Sequence, residues 1–208
     1  MAANDGGASR PSPVLIALAL ILTGALVWAV AFWNPSGPSP HGGPGVTTAT
    51  PVGGDFTLQS IEGPVSLQDF RGKVVMLYFG YTQCPDVCPT SLAQCVQALS
   101  GLDKGDLDRV QLIFVSVDPE RDTLARLKEY AEYFHPKVIG VTGSTEQIAR
   151  VATLYGSSYT RQPPRADGSY AVDHSSFVYV IDRNGRLAAS IPYGTPADEL
   201  RGQIRALL

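Results

Sequence analysis

The sequence predicts an α/β domain, a mixed sheet with helices on both faces, and three observations carry that expectation. Short apolar runs without polar alternation recur, such as Leu112-Ile113-Phe114-Val115, as strands buried on both faces require. Stretches of helical length separate them in regular alternation, the order of a sheet enclosed by helices. Helix starts are locally encoded: Ser144 with Gln147 reads as a capping box, and Thr195-Pro196 as a cap with proline in the first turn.

Asp55 to Leu58 and Val65 to Leu67, joined by Glu62-Gly63-Pro64, read as an N-terminal hairpin extension covering one edge of the domain. The apolar run Val74 to Phe79 is a strand, and Thr90 to Leu99 a helix. Val110 to Val117 is the next strand, followed by a helix over Asp122 to Phe134, where Asp122 is placed to cap. A short strand Lys137 to Val141 and a helix Ser144 to Leu154 come next. Strand Ser176 to Ile181 turns at Arg183-Asn184-Gly185 into strand Leu187 to Tyr193, and a helix over Pro196 to Leu208 closes the chain. The segment Gly156 to Asp173, rich in Pro, Ser and Gly with Arg161 and Arg165, reads as a long loop or mobile basic flap leading to His174.

Ahead of the domain, Val14 to Trp33 holds no charge and is long enough, at about 1.5 Å per residue, to cross a hydrocarbon layer of about 30 Å. Trp28, Phe32 and Trp33 stand where a cleavable signal would have small residues, and they suit a membrane interface, so the expectation is an uncleaved transmembrane anchor. No cysteine closes the run, which argues against a lipid-modified N-terminus. Arg10 and the amino terminus place the N-terminal side in the cytoplasm, and the leader lacks the Arg-rich character of a mitochondrial presequence. The expected layout is a cytoplasmic leader (1–13), a single-pass anchor in a bacterial inner membrane (14–33), a flexible linker (34–53) and a periplasmic domain (54–208). The linker is uncharged but for His41, and rich in Pro, Gly, Ser and Thr. A net charge of −3 without a basic face argues against nucleic-acid binding.

The chemistry concentrates in Thr82-Gln83-Cys84-Pro85-Asp86-Val87-Cys88-Pro89, between strand and helix. Flanking prolines and Gly80-Tyr81 suit an exposed turn, where backbone N–H groups and the helix dipole favour thiolate over thiol. Two thiolates one helical turn apart, roughly 6 Å between Cα atoms, can share a soft metal ion or close into a disulfide. The remaining cysteine, Cys95, lies about 10 Å further along the helix, too far to join the same ion, and reads as packed core, as does Met76.

A metal on two thiolates needs another donor. His174, in Val172-Asp173-His174-Ser175-Ser176-Phe177 at the mouth of a strand, can face the dithiol, because ligands converge at strand ends in such sheets. His135 reads as a helix-end residue complementing the dipole, and His41 as incidental to the linker. Two thiolates and an imidazole suit Cu(I), or Cu(II) with an added weak ligand, whereas structural zinc closes with four donors. Asp118, at a strand end near the dithiol, is placed to orient a ligand or partner.

These residues resemble the Sco/SenC proteins, thioredoxin-fold accessory factors for the binuclear copper centre of cytochrome c oxidase. The resemblance covers about 54–208 and rests on Gly54-Asp55-Phe56, Asp69-Phe70-Arg71-Gly72-Lys73, Tyr78-Phe79-Gly80-Tyr81-Thr82 with the dithiol run, Val117-Asp118-Pro119-Glu120-Arg121-Asp122 and Asp173-His174-Ser175. It implies a thioredoxin-like fold with Cys84, Cys88 and His174 as copper ligands, and His174 in the place of the cis-proline that many thioredoxin-like proteins carry. It further implies a membrane-anchored copper chaperone serving cytochrome c oxidase subunit II, with other periplasmic copper chaperones and thiol reductases as further partners. The alternative is a thiol-disulfide oxidoreductase that keeps the acceptor cysteines reduced through the same pair. A peroxidase on this fold is disfavoured, since the Pro-x-x-x-Thr-x-x-Cys context is missing.

Overall fold

A computed structural model describes residues 12–32 and 52–208, which divide into two units. The leader and most of the linker, His41 included, lie outside the described residues. In the first unit α1 (Pro13–Phe32) is a helix of 20 residues with no charged side chain. Its side chains are described for 13–14 and 16–29, and among the described residues no helix is long and apolar enough to cross a membrane.

The second unit is built on a five-stranded sheet. Its strands are β3 (Val74–Gly80), β4 (Val110–Ser116), β5 (Val138–Val141), β8 (Phe177–Ile181) and β9 (Leu187–Pro192), in the spatial order β5-β4-β3-β8-β9. β3, β4 and β5 are parallel, while β8 runs antiparallel to both its neighbours, β3 and β9, so the sheet is mixed as expected. Every residue of β3 and β4 is buried, which explains their unbroken apolar runs.

Alternation along β3 assigns the helices to faces. Tyr78 stacks on Phe114 of β4, which packs on Tyr130 of α4 (Leu124–Phe134). Phe79 points to the opposite face and meets Tyr155 of α5 (Thr145–Tyr155). α2 (Val87–Ser100) shares the Tyr78 face, since Cys88 lies against Gly80, and α6 (Ala197–Arg205) packs beside α2. Helices therefore cover both faces.

The N-terminal hairpin is present as β1 (Thr57–Ser60) and β2 (Gly63–Ser66). Gln59 exchanges two backbone hydrogen bonds with Thr142, at 2.8 and 2.9 Å, which seals the β5 edge of the sheet. Ser144 and Gln147 form the capping box that the sequence signals.

Several elements depart from the sequence reading. Asp122 does not cap α4; Thr123 does, accepting from the Arg126 amide, while Asp122 is buried and receives three hydrogen bonds from the sheet side. Pro196 itself occupies the N-cap of α6, and the Thr195 hydroxyl donates instead to the Pro192 carbonyl. A short helix, α3 (Lys104–Asp108), appears where none was expected, started by Asp103 accepting from the Asp106 amide. α2 begins three residues early, at Val87, because Pro89 falls in its first turn, where the missing N–H has no helical partner to lose. The segment read as a loop contains a hairpin, β6 (Tyr159–Arg161) against β7 (Val172–His174). Three-residue strands are too short to show a period in sequence.

Candidate metal centre

β3 is the switch point of the sheet, parallel to β4 on one side and antiparallel to β8 on the other. The chain leaving β3 at Gly80 and the chain entering β8 at Phe177 therefore meet at one edge, with Tyr78 opposite Val178. From this edge the dithiol turn runs into the first turn of α2, and His174 ends β7 just before β8.

The three predicted donors converge. The sulfurs of Cys84 and Cys88 and a ring nitrogen of His174 all lie within 4.8 Å of one another, and His174 Nε2 is 3.2 Å from Cys88 Sγ. His174 Nδ1 sits 3.2 Å from the Ser175 carbonyl, which only accepts, so Nδ1 carries the proton and the Nε2 lone pair faces the sulfurs. Tyr78 and Tyr81 hold the imidazole between them, each perpendicular to it with ring centroids 6.1 and 6.0 Å away.

The two thiols are not equivalent. Cys84 is half-buried and Cys88 fully buried. A hydrogen bond with Cys88 and backbone N–H groups of Asp86 and Cys88 pull the Cys84 pKa down to about 3, against the opposing effect of burial. The Cys88 N–H, at the start of α2, lies 3.4 Å from Cys84 Sγ, as the strand-to-helix junction promised. Cys88 moves the other way: its hydrogen bond to Cys84 and its burial favour the neutral thiol. The reduced pair is thus one thiolate sharing one proton with its neighbour.

The expectation of an exposed turn fails at Gly80 and Tyr81. Tyr81 is only 3% exposed, because Arg121 and His174 lie against its ring. Gly80 is required by packing: a Cβ there would stand 2.7 Å from Cys88 Sγ and 2.9 Å from the Phe114 ring. No local signal announced this, since the close approach comes from α2 and β4.

The other candidates fall outside the cluster. Cys95 is fully buried and burial pushes its thiol up to about 12, and Met76 is likewise buried core. His135 ends α4, where its Nδ1 accepts from the Lys137 amide. Asp118 is not part of the Cys84–Cys88–His174 cluster; it accepts from Arg121 Nε and from the Tyr170 hydroxyl. A groove of about 560 Å³ lined by Phe56, Thr57, Gln147 and Arg150 contains none of the three donors. The dithiol site is instead a half-buried cluster, with Cys84 and His174 partly exposed and Cys88 buried. Two soft sulfurs and a borderline nitrogen, one sulfur already anionic, form a donor set that fits copper in either common oxidation state.

Proteins of known structure similar to this chain include Sco proteins. A solved structure of ScoI from Bradyrhizobium japonicum with copper bound is 39% identical to this chain, with a TM-score of 0.69, covering 76% of this chain and 99% of that one. The yeast Sco1 structure with copper bound is 31% identical, with a TM-score of 0.67, over 74% of this chain and 87% of that one. Among curated proteins, the mitochondrial SCO2 homologue of Bos taurus is 41% identical over 154 residues, 73% of this chain. The SCO2-like protein of Rickettsia conorii is 42% identical over 137 residues, 65% of this chain. The chain spans 58% and 66% of the length of these two curated relatives. The family model described as SCO1/SenC matches residues 45–208, the whole thioredoxin-like unit with its dithiol edge, and this chain belongs to that family.

Proposed function

We propose that this protein is a membrane-anchored copper chaperone that holds one copper ion through Cys84, Cys88 and His174 and delivers it to cytochrome c oxidase subunit II. The observation that carries the reading is the convergence of two sulfurs and an imidazole nitrogen within 4.8 Å at one sheet edge, with the nitrogen's lone pair turned inward. Two relatives of the same family are described with copper bound, which supports copper as the cargo. The uncharged apolar run Val14 to Trp33 in the sequence supports a single-pass anchor in a bacterial inner membrane, with residues 1–13 cytoplasmic, 34–53 a linker and 54–208 in the periplasm. Other periplasmic copper chaperones and thiol reductases would load the site and keep it reduced.

A shallow three-donor site permits transfer by ligand exchange, since an incoming thiolate can bind before an outgoing one leaves. The test is titration of the full chain with Cu(I) and Cu(II), followed by His174→Ala. One equivalent bound, weakened by His174→Ala together with loss of oxidase assembly, is the expected result. Unchanged copper affinity and assembly in His174→Ala would remove the assignment.

The asymmetry of the thiols favours thiol-disulfide exchange as a second activity. Half-exposed Cys84, held as thiolate, attacks an acceptor disulfide, forming a mixed disulfide and releasing one acceptor thiolate. Cys88 then gives up its proton and attacks Cys84 Sγ, releasing the second acceptor thiol. The acceptor gains two electrons and this pair becomes the disulfide. Reductase activity requiring Cys84 and Cys88 but indifferent to His174→Ala would mark this activity apart from copper delivery.

A further inference from the structure

Among the described residues, β6 and β7 of the hairpin that carries His174 pair only with each other, so no ladder of the five-stranded sheet fixes their pose above the dithiol. Side chains from the loop after β4 do so. Arg121 binds Asp118 through Nε and donates through Nη1 to the Tyr170 carbonyl at 2.8 Å, just ahead of β7. Its guanidinium carbon lies 3.5 Å from the centre of the Tyr170 ring and 5.5 Å from that of Tyr81. Arg161 of β6 lies 3.8 Å from the same Tyr170 ring, necessarily on the opposite face, and pairs with Glu120 at 2.6 Å. The Tyr170 hydroxyl completes the circuit by donating to Asp118 at 2.8 Å.

The two cations differ in weight. The Arg121 side chain is 16% exposed and the Arg161 side chain 48%, and a stacked cation counts for more when water is excluded. Arg121 also bears on the dithiol turn, through Tyr81, whose ring lies against His174, and through Gln83, which accepts from Nη1 at 3.4 Å. A planar fork that donates in one direction and stacks in another is a property of arginine that lysine does not share.

We infer that Arg121 is a positioning residue for the metal centre: anchored on Asp118 and stacked on Tyr170, it fixes the β6–β7 hairpin so that His174 Nε2 faces the two sulfurs. The inference rests on the copper reading proposed above.

The test uses the full chain in detergent, with copper salts as the probe. Arg121→Ala is expected to weaken copper binding by about tenfold to hundredfold, the usual effect of losing a group that orients a ligand. It should also erase nitrogen hyperfine structure from the Cu(II) spin-resonance spectrum. In the metal-free protein it should speed amide exchange across 159–174 while α2 and β3 stay protected. Arg121→Lys should fail to restore these properties, and in a His174→Ala background Arg121→Ala should have no further effect on affinity. Wild-type affinity and spectrum in Arg121→Ala would overturn the inference, as would full rescue by lysine or an equal loss in the His174→Ala background. Should Arg121→Ala not fold, Tyr170→Leu removes the other half of the stack and is read in the same way, unchanged binding and exchange again overturning it. A wild-type chain that binds no copper instead refutes the copper reading, and wild-type exchange across 159–174 in Arg121→Ala would then refute the clasp as well.

Discussion

Gly80→Ala adds one methyl group at the end of β3 and tests whether the metal centre depends on backbone close-packing. The new Cβ would stand 2.7 Å from Cys88 Sγ, 2.9 Å from Phe114 Cε2 and 3.2 Å from Tyr78 Cε1. An ordinary heavy-atom contact is about 3.5–4.0 Å, so Cys88 Sγ must retreat by about 1 Å. All three neighbours are fully buried, and Cys88 is fixed in the first turn of α2, so none can swing into solvent. Overpacking of this kind costs about 1–3 kcal/mol. At 2–4 °C per kcal/mol for a domain of this size, the melting temperature should fall by about 2–12 °C. Metal sites tolerate only about 0.2 Å of donor displacement, so copper affinity should fall as well, by about tenfold or more. The control is the same substitution at Gly202, exposed on α6 with nothing within 4 Å of its added Cβ. There alanine relieves the helix of glycine's entropy and should stabilise by about 0.5–1 kcal/mol. Thermal denaturation of the metal-free chain and a copper competition titration read both effects. Gly80→Ala melting at or above wild type with unchanged copper affinity would refute the packing argument.

Cys84 provides a pH prediction. With its folded pKa near 3 and an unfolded value of about 8.5, its contribution to stability is fully present above about pH 8.5 and is lost as pH falls toward 3. In the same window, alkylation of the reduced native chain should modify one thiol, Cys84, at a rate nearly flat between about pH 5 and 8, followed by mass spectrometry of the modified peptide. A rate climbing tenfold per pH unit through that range would show an ordinary thiol. Asp122 receives hydrogen bonds from the Thr82 amide at 2.9 Å and from the Thr82 and Ser116 hydroxyls at 2.6 Å. Asp122→Ala orphans these donors beneath the dithiol turn and should cost about 2–4 kcal/mol in urea unfolding. A loss under about 1 kcal/mol, the size expected of a helix cap alone, would return Asp122 to the role its sequence position suggested.

The comparison of sequence with structure divides along physical lines. β3 and β4 were legible because strands buried on both faces carry unbroken apolar runs, and α5 because its capping box is local. The three donors were legible because thiol and imidazole are rare and their chemistry is specific. What stayed hidden depends on contacts between distant segments. The hairpin of β6 and β7 has three-residue strands with no period, and the Arg121–Tyr170 stack joins residues 49 apart. Asp122 illustrates the limit within the helix signals themselves: both it and Thr123 are competent caps, and only the buried hydroxyls of Thr82 and Ser116 decide between them. Arg121 stood in a segment that carries the family resemblance, but nothing local gave it a role, since an arginine in a polar loop is ordinarily solvated.

The inequality of the two sulfurs bears directly on how such a site could release its ion. Cys88 is fully buried, wedged against Gly80, and cannot turn outward without unpacking α2 from β3. His174 is held from behind by the Ser175 carbonyl and from the sides by two tyrosines. Cys84 and His174 are both partly exposed, but only the imidazole is clasped in this way, whereas Cys84 lies on a turn flanked by the exposed Gln83, Pro85 and Asp86. An incoming donor therefore meets the ion on the Cys84 side, and Cys84 is the ligand that can yield first while the other two retain the ion. The low Cys84 pKa supports that order, because a thiolate that is stable without the metal has less to lose on releasing it. Under the proposed function, the buried sulfur and the clasped imidazole hold the cargo, and the exposed sulfur is the point of exchange.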